Sequence, residues 1–346
     1  MCEVVVEIIR LYTIAMNDMT LTSKSALTKR SALTSTSVNL YLFSPAGVKP
    51  AAASTAQAKV NLEKIGFTVR QDSDLESAEQ RFAGTDAQRI AAFQRAANHA
   101  KQGKADFVMA SRGGYGITRL LESLDFSVLA DSSVQWLGHS DMTAFQIALF
   151  AHTRAASWQG PMAWGHFGAD ADCVPNLFTA QSLHDALILK KQTVSFVPPA
   201  TECAAFAGLA TRGVVWGGNL AMICSLLGTP HFPKAAQIRG GLLYLEDTNE
   251  PPYRIERMLL QLHQAGVLAN QSAIILGDFG NVNLQNKQHL DNGYDFAAVV
   301  AHLRSVCKTP ILTGLPFGHC AATLTLPMGR KAWLGIDDAG ATLDWS

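Results

Sequence analysis

ADFVMASRGGYGITRLLESL, residues 105–124, and VQWLGHSDMTAFQIALF, residues 134–150, share one grammar. In each, an apolar run that reads as a strand, Asp106 to Ala110 and then Val134 to Leu137, stops at a polar, glycine-bearing turn and passes into a helical pattern. The first turn is Arg112-Gly113-Gly114-Tyr115-Gly116, ahead of the helical run ITRLLESL. The second is Gly138-His139-Ser140-Asp141, ahead of a helix expected from near Thr143. Both turns stand at carboxyl ends of strands, the edge at which open α/β sheets bind ligands, so they are expected to face one crevice.

The same alternation extends both ways. Upstream, Leu40 to Phe43 meets Ser44-Pro45-Ala46-Gly47 and an Ala-rich helix over 51–65, and a second helix, opened by Gly84-Thr85-Asp86, spans Thr85 to Gln102 with Ile90, Phe93 and Ala97 on one face. Downstream, strands are expected near Gly213 to Trp216, Leu242 to Leu245, Ala273 to Leu276, Pro310 to Thr313 and Thr323 to Leu326. Helices are expected from Asn219, over Pro252 to Ala265 and near 294–306. Pro175, Pro198 and Pro199 interrupt the pattern between about 170 and 210, which reads as a crossover. The fold class is therefore α/β: a mainly parallel N-terminal α/β domain over 39–170, a crossover over 171–210 and a smaller C-terminal α/β domain over 211–346. Residues 18–38 are rich in Ser, Thr and Lys without periodicity, and 1–38 are set aside as a disordered leader.

Hydrophobic residues make up 48% of the 346 and charged residues only 16%, enough apolar content for a sizeable core. Lys plus Arg and Asp plus Glu are 28 each, so no net field draws the chain to nucleic acid or an anionic membrane. Glu3 and Glu7 occupy the place of a signal peptide's basic region, and no stretch approaches the roughly 18 apolar residues that cross a bilayer, so a non-exported, non-membrane protein is expected. The six cysteines lack C-x-x-C spacing and read as reduced thiols of a cytosolic protein. No H-E-x-x-H or clustered His/Asp set is present, and the G-G-x-G turn lacks the spacing of a phosphate loop, so neither metal nor any other cofactor is expected.

Ser140, between a strand and a helix, can present its hydroxyl near free backbone N–H groups that would hold an oxyanion, although spacing alone favours a helix cap. Met142 stands where the hydrolase elbow G-x-S-x-G has its second Gly. Gly114 is the natural second N–H donor. Glu246-Asp247 end an apolar strand, where a carboxylate needs a partner; a histidine partner and a cap or salt bridge remain equal readings. Most histidines sit in helical or loop context, but His319 lies in a Gly-rich loop after a strand end; His139 and His166 are the rival bases.

These turns, in order, resemble the LD-carboxypeptidase (muramoyltetrapeptide carboxypeptidase) family of serine peptidases, which also includes the microcin-immunity peptidases. The resemblance rests on SPAG (Ser44 to Gly47), RFAGTD (Arg81 to Asp86), RGGYG (Arg112 to Gly116), GHSDMTA (Gly138 to Ala144), GP (Gly160-Pro161), GGNLAM (Gly217 to Met222), LEDTNEPPYRIERMLLQL (Leu245 to Leu262) and GLPFGH (Gly314 to His319). It implies Ser140 as nucleophile, His319 as base and Glu246 as the group orienting that base, with the backbone N–H groups of Asp141 and Gly114 as oxyanion hole. It implies a C-terminal domain supplying Glu246 and His319, an active site in the cleft between the domains, and a homodimer. The implied substrate is a cytoplasmic murein tetrapeptide, or its sugar-linked forms, losing terminal D-alanine in peptidoglycan recycling. Arg112, beside the implied hole, is then the candidate for the terminal carboxylate, with Tyr115 as a neighbouring substrate contact. The alternatives are cleavage of a peptidyl-nucleotide antibiotic and a non-catalytic murein-peptide or nucleotide-binding protein.

Overall fold

The structure, a computed structural model, describes residues 38–130, 135–280 and 291–345. The leader over 1–38 lies outside the described residues except for Val38, which opens the first strand. In chain order the strands are β1 (Val38–Phe43), β2 (Phe67–Gln71), β3 (Phe107–Ala110), β4 (Gln135–Leu137), β5 (Ser157–Gln159), β6 (Thr193–Phe196) and β7 (Ala210–Asn219). They continue with β8 (Gly241–Glu246), β9 (Gln271–Leu276), β10 (Ile311–Leu312), β11 (Leu326–Met328), β12 (Lys331–Asp337) and β13 (Gly340–Asp344).

The mixed α/β fold carries two sheets. The first runs β11-β5-β4-β3-β1-β2 and is parallel except for its β11 edge. Its central strands are nearly continuous apolar runs because helices cover both faces. The strand order reverses between β1 and β3, so the turns that follow those strands diverge from a common crevice. They are tied across it by Gly47 N–H donating to Gly113 O at 3.0 Å. The helix Asp86–Lys101 starts at a capping box, Thr85 with Gln88, and buries Ala92, Phe93, Ala96, Ala97 and Ala100.

The second sheet runs β10-β9-β8-β7-β12-β13-β6. Strands β7 to β10 are parallel; β12, β13 and β6 follow antiparallel. Between the sheets lies the helix Met142–Thr153, whose residues Met142 to Phe150 are all buried. It is apolar all round because it packs against β7 and the helix Leu220–Leu226 on one side while rooted in the first sheet on the other. Each large side chain so buried, such as Phe145 or Leu149, contributes about 1.5–3 kcal/mol. Two side-chain bonds lock the layers: Gln159 Nε2 donates to Gly217 O at 2.9 Å and Asn219 N–H donates to Thr143 Oγ1 at 3.1 Å.

Two expectations, on the run ITRLLESL and on the strand near Thr323, are corrected. ITRLLESL forms two short 3₁₀ turns, Ile117–Arg119 and Leu121–Ser123, rather than one helix; the Ile117 N–H donates to Asp141 Oδ2, and the run ends at Asp125, which caps the next helix. The stretch 171–210 holds the helices Leu177–Leu187 and Ala200–Phe206, and its strand β6 closes an edge of the second sheet. The strand expected at Thr323 to Leu326 forms only from Leu326, as β11, and it joins the first sheet through β5.

Candidate active site

β4 ends at Leu137, and the chain reverses through Gly138, His139 and Ser140 before the helix Met142–Thr153 begins. Ser140 is held at a φ of +61°, a left-handed conformation that a non-glycine residue adopts at a cost and that surrounding contacts must enforce. It does not cap the helix. Asp141 occupies the cap position, neither side chain caps, and Ser140 Oγ lies 3.0 Å from His319 Nε2.

Glu246 is the last residue of β8 and sits opposite Asn219 of β7. The preceding run Leu242-Leu243-Tyr244-Leu245 is fully buried, which carries the carboxylate into the interior. Its Oε2 lies 2.7 Å from His319 Nδ1. A carboxylate oxygen only accepts, so Nδ1 carries the proton and the Nε2 lone pair faces the Ser140 hydroxyl. Burial pulls the His319 pKa down, but the Glu246 hydrogen bond and the charges of Glu246, Asp247 and Asp278 outweigh it and raise the pKa above its ordinary value. The loop carrying His319 is pinned by Asp278 N–H on Phe317 O, Leu324 N–H on Pro316 O, and an edge-to-face contact of Phe317 with Tyr244 at 5.2 Å.

Of the two acidic neighbours, Glu246 takes the histidine and Asp247 takes the turn. Asp247 is buried and accepts from Asn219 Nδ2, Thr248 N–H and Ala221 N–H, while burial, then the Glu246 charge, push its pKa to about 6. The rival histidines are bonded elsewhere. His139 Nδ1–H donates to Gly160 O at 2.9 Å, and burial, with His319 and His166 nearby, holds its pKa well below the ordinary value. His166 Nδ1 accepts the Met162 N–H at 3.1 Å, and burial lowers its pKa to about 4. Cys320, beside His319, has its thiol pushed to about 12 by burial and Asp278.

Asp141 and the Gly-Gly turn meet Ser140 from the β3 side. The closest approach is made by Gly113, which the sequence reading passed over in favour of Gly114: a β-carbon there would lie 2.6 Å from Ser140 Oγ and 3.2 Å from Asp141 N. Gly114 serves the turn through its φ of +106° and lies against Gly47. The pair is a signal the sequence does carry, since two successive glycines are needed for two different reasons, space and backbone angle. The Asp141 side chain anchors the turn by accepting from Ile117 N–H at 2.9 Å. Arg112 donates from Nη1 to Val48 O at 2.8 Å, and Tyr115, 41% exposed, lies under the Arg81 guanidinium. Among the described residues no cluster of His, Cys, Asp and Glu could hold a metal ion, and no helix is long and apolar enough to cross a membrane.

The family model of the LD-carboxypeptidase N-terminal domain matches residues 40–160, and that of the LD-carboxypeptidase C-terminal domain matches residues 212–334. The chain is 28% identical to a probable murein peptide carboxypeptidase of Bacillus subtilis, over 82% of this chain and 84% of that one. Its fold superposes on the crystal structure of muramoyltetrapeptide carboxypeptidase from Oxalobacter formigenes with a TM-score of 0.76 and 36% identity, covering 89% of this chain and 98% of that one. It is also 24% identical to the microcin C7 self-immunity protein of Escherichia coli, over 68% of this chain and 73% of that one.

Proposed function

As the chain belongs to the LD-carboxypeptidase family, we propose that it is a serine carboxypeptidase that hydrolyses the L,D-peptide bond of murein tetrapeptides and releases terminal D-alanine. The observation that carries this reading is the unbroken chain from Ser140 Oγ through the His319 ring to Glu246 Oε2, at 3.0 and 2.7 Å. His319 takes the Ser140 proton as Oγ attacks the amide carbon, then returns it to the leaving nitrogen of D-alanine. Water, deprotonated by the same imidazole, releases the acyl group. Glu246 fixes the tautomer and stabilises the imidazolium, and the backbone N–H groups of Asp141 and Gly114 receive the oxyanion. The two sheets act as two domains, one supplying the nucleophile and the other Glu246 and His319, with substrate in the cleft between them. A cytoplasmic homodimer engaged in peptidoglycan recycling completes the proposal.

The similarity to the microcin self-immunity protein supports a second reading, cleavage of a peptidyl-nucleotide. The deciding assay incubates wild type and Ser140→Ala, with chelator, with L-Ala-γ-D-Glu-meso-diaminopimelyl-D-Ala and its L-Ala-terminal analogue. Release of D-alanine by wild type alone is expected; no release from either peptide transfers the reading to the nucleotide substrate or to a binding protein.

A further inference from the structure

Arg81 and Arg112 grip one residue from two directions. Val48 N–H donates to the backbone O of Arg81 at 2.9 Å, and Val48 O accepts from Arg112 Nη1 at 2.8 Å. Arg112 packs its guanidinium on the Gly47 and Gly114 backbones: a β-carbon on Gly47 would lie 3.4 Å from its Nε, and one on Gly114 would lie 3.6 Å from its Nη2. Arg81 is exposed and spans the ring of Tyr115, 5.5 Å from the centroid.

Other cations of this edge have acids: Lys49 pairs with Glu76, and Arg89 and Arg119 both pair with Asp86. Among the described residues no carboxylate is within ion-pair distance of Arg81 or Arg112. Burial, then the charge of Arg81, lowers the pKa of Arg112, so the guanidinium is held where its charge is disfavoured and no acid among the described residues pairs with it. Arg112 opens the Gly-Gly turn whose Gly113 abuts Ser140, at the strand-order reversal between β1 and β3 where an open α/β sheet receives its ligand, and Arg81 reaches that turn from the loop between β2 and the helix Asp86–Lys101.

We propose that Arg81 and Arg112, floored by Tyr115 and the Gly47 and Gly114 backbones, form a cradle for an oxyanion of the substrate, a carboxylate of the peptide or a phosphate of a peptidyl-nucleotide. Planar guanidinium forks suit both, and an anion arriving there supplies the missing countercharge. The inference rests on the proposed function only in taking Ser140 as the reacting centre; the cradle itself follows from the arginines.

The test measures binding, in full-length Ser140→Ala protein, so that it does not depend on turnover. Calorimetry compares the tetrapeptide with its C-terminal carboxamide, and inorganic phosphate with adenosine monophosphate, for the Arg81→Gln and Arg112→Gln additions and for Arg112→Lys, which keeps the charge. If the anion is the peptide terminus, the carboxamide binds about 10- to 100-fold more weakly than the acid, the scale of a charge-assisted hydrogen bond, and either Gln variant reduces that ratio to a few-fold. Arg112→Lys retains part of the ratio. If the anion is a phosphate, the acid-to-amide ratio is indifferent to the arginines while adenosine monophosphate binding falls by a similar factor, which also supports the cradle and names its source. Anion binding that is absent, or equal in all variants with unchanged melting temperatures, overturns it. Failure of wild type to cleave, with the binding pattern intact, removes the proposed function and leaves the cradle.

Discussion

A β-carbon added to Gly318 would come within 2.9 Å of the Glu246 β-carbon and 3.0 Å of its Oε2, and Gly318 itself holds a φ of +131°. The residue before the imidazole therefore has to be glycine for two reasons, and both concern the Glu246–His319 bond. Gly318→Ala is expected to push the imidazole off its carboxylate and lower kcat by about 100-fold, the scale of a 1 Å misplacement, with a smaller change in KM. Steady-state kinetics beside a thermal melt checks this; a folded variant with wild-type kcat would show that the loop absorbs the methyl group.

Glu246→Gln replaces an acceptor with a group that can present a donor to Nδ1, favouring the tautomer whose Nε2 cannot accept from Ser140. A fall in kcat of roughly 10⁴ is expected, as for the analogous change in other triads. The residual activity carries a second signature. The rate needs neutral His319, so it rises with pH through the His319 pKa. That pKa is drawn down by burial and raised above its ordinary value by Glu246 and neighbouring acids. Without the Glu246 charge the acidic limb of the pH–rate profile should move to lower pH, and a limb that stays in place would mean that Asp247 and Asp278 suffice to hold it.

The strand–turn–helix alternation made the parallel half of each sheet legible, because buried parallel strands such as β1, β3 and β8 write themselves as largely apolar runs that stop at a polar residue, Ser44, Ser111 and Glu246. What escaped was long-range pairing. Nothing in Leu326-Pro327-Met328 says that it edges the first sheet, and nothing in Thr193 to Phe196 says that it edges the second, since edge strands are short and their partners lie far along the chain. At the site, the residues by themselves left Ser140 between cap and nucleophile, Glu246 between a histidine partner and a cap, and His319 with two rivals; the resemblance of the ordered motifs implied the three together, but not which glycine of the pair faces the serine. Gly113 and Gly114 are chemically identical, and only the fold assigns them different neighbours.

Gly113→Ala tests that assignment. Its β-carbon would lie 2.6 Å from Ser140 Oγ and 2.7 Å from the serine β-carbon, so the methyl group would occupy the space a substrate carbonyl must enter. An activity loss of about 100-fold or more is expected, with some fall in melting temperature, since a β-carbon 2.7 Å from that of Ser140 forces the turn or the serine to shift. Gly47 is the comparison. A β-carbon there meets Gly113 O at 2.9 Å and the Arg112 side chain, so Gly47→Ala should disturb the turn and lower stability as well.

Asp141 offers a test read through stability rather than rate. It is 1% exposed, its Oδ1 is buried without a hydrogen-bond partner, and burial raises its pKa from 3.8 to about 6 against the opposing N–H bonds from Ile117 and Gly116 and the charge of Arg89. A carboxyl whose folded pKa exceeds its unfolded one binds more protons when folded. Its contribution to stability is therefore full below pH 3.8 and is lost as pH rises to about 6, a difference of about 3 kcal/mol at 1.36 kcal/mol per tenfold change in proton affinity. Asp141→Asn keeps an acceptor for Ile117 but does not titrate, so denaturant unfolding of the variant should lose stability less steeply than wild type between pH 4 and pH 6. Part of the slope should survive, because Asp247 is also raised by burial to about 6 and titrates in the same window. The absolute stability of the variant at one pH is a poor readout, since its new amide N–H₂ takes the unpartnered Oδ1 position. The slope is the discriminating quantity, and identical slopes in variant and wild type would mean that Asp141 is equally protonated in the folded and unfolded chains.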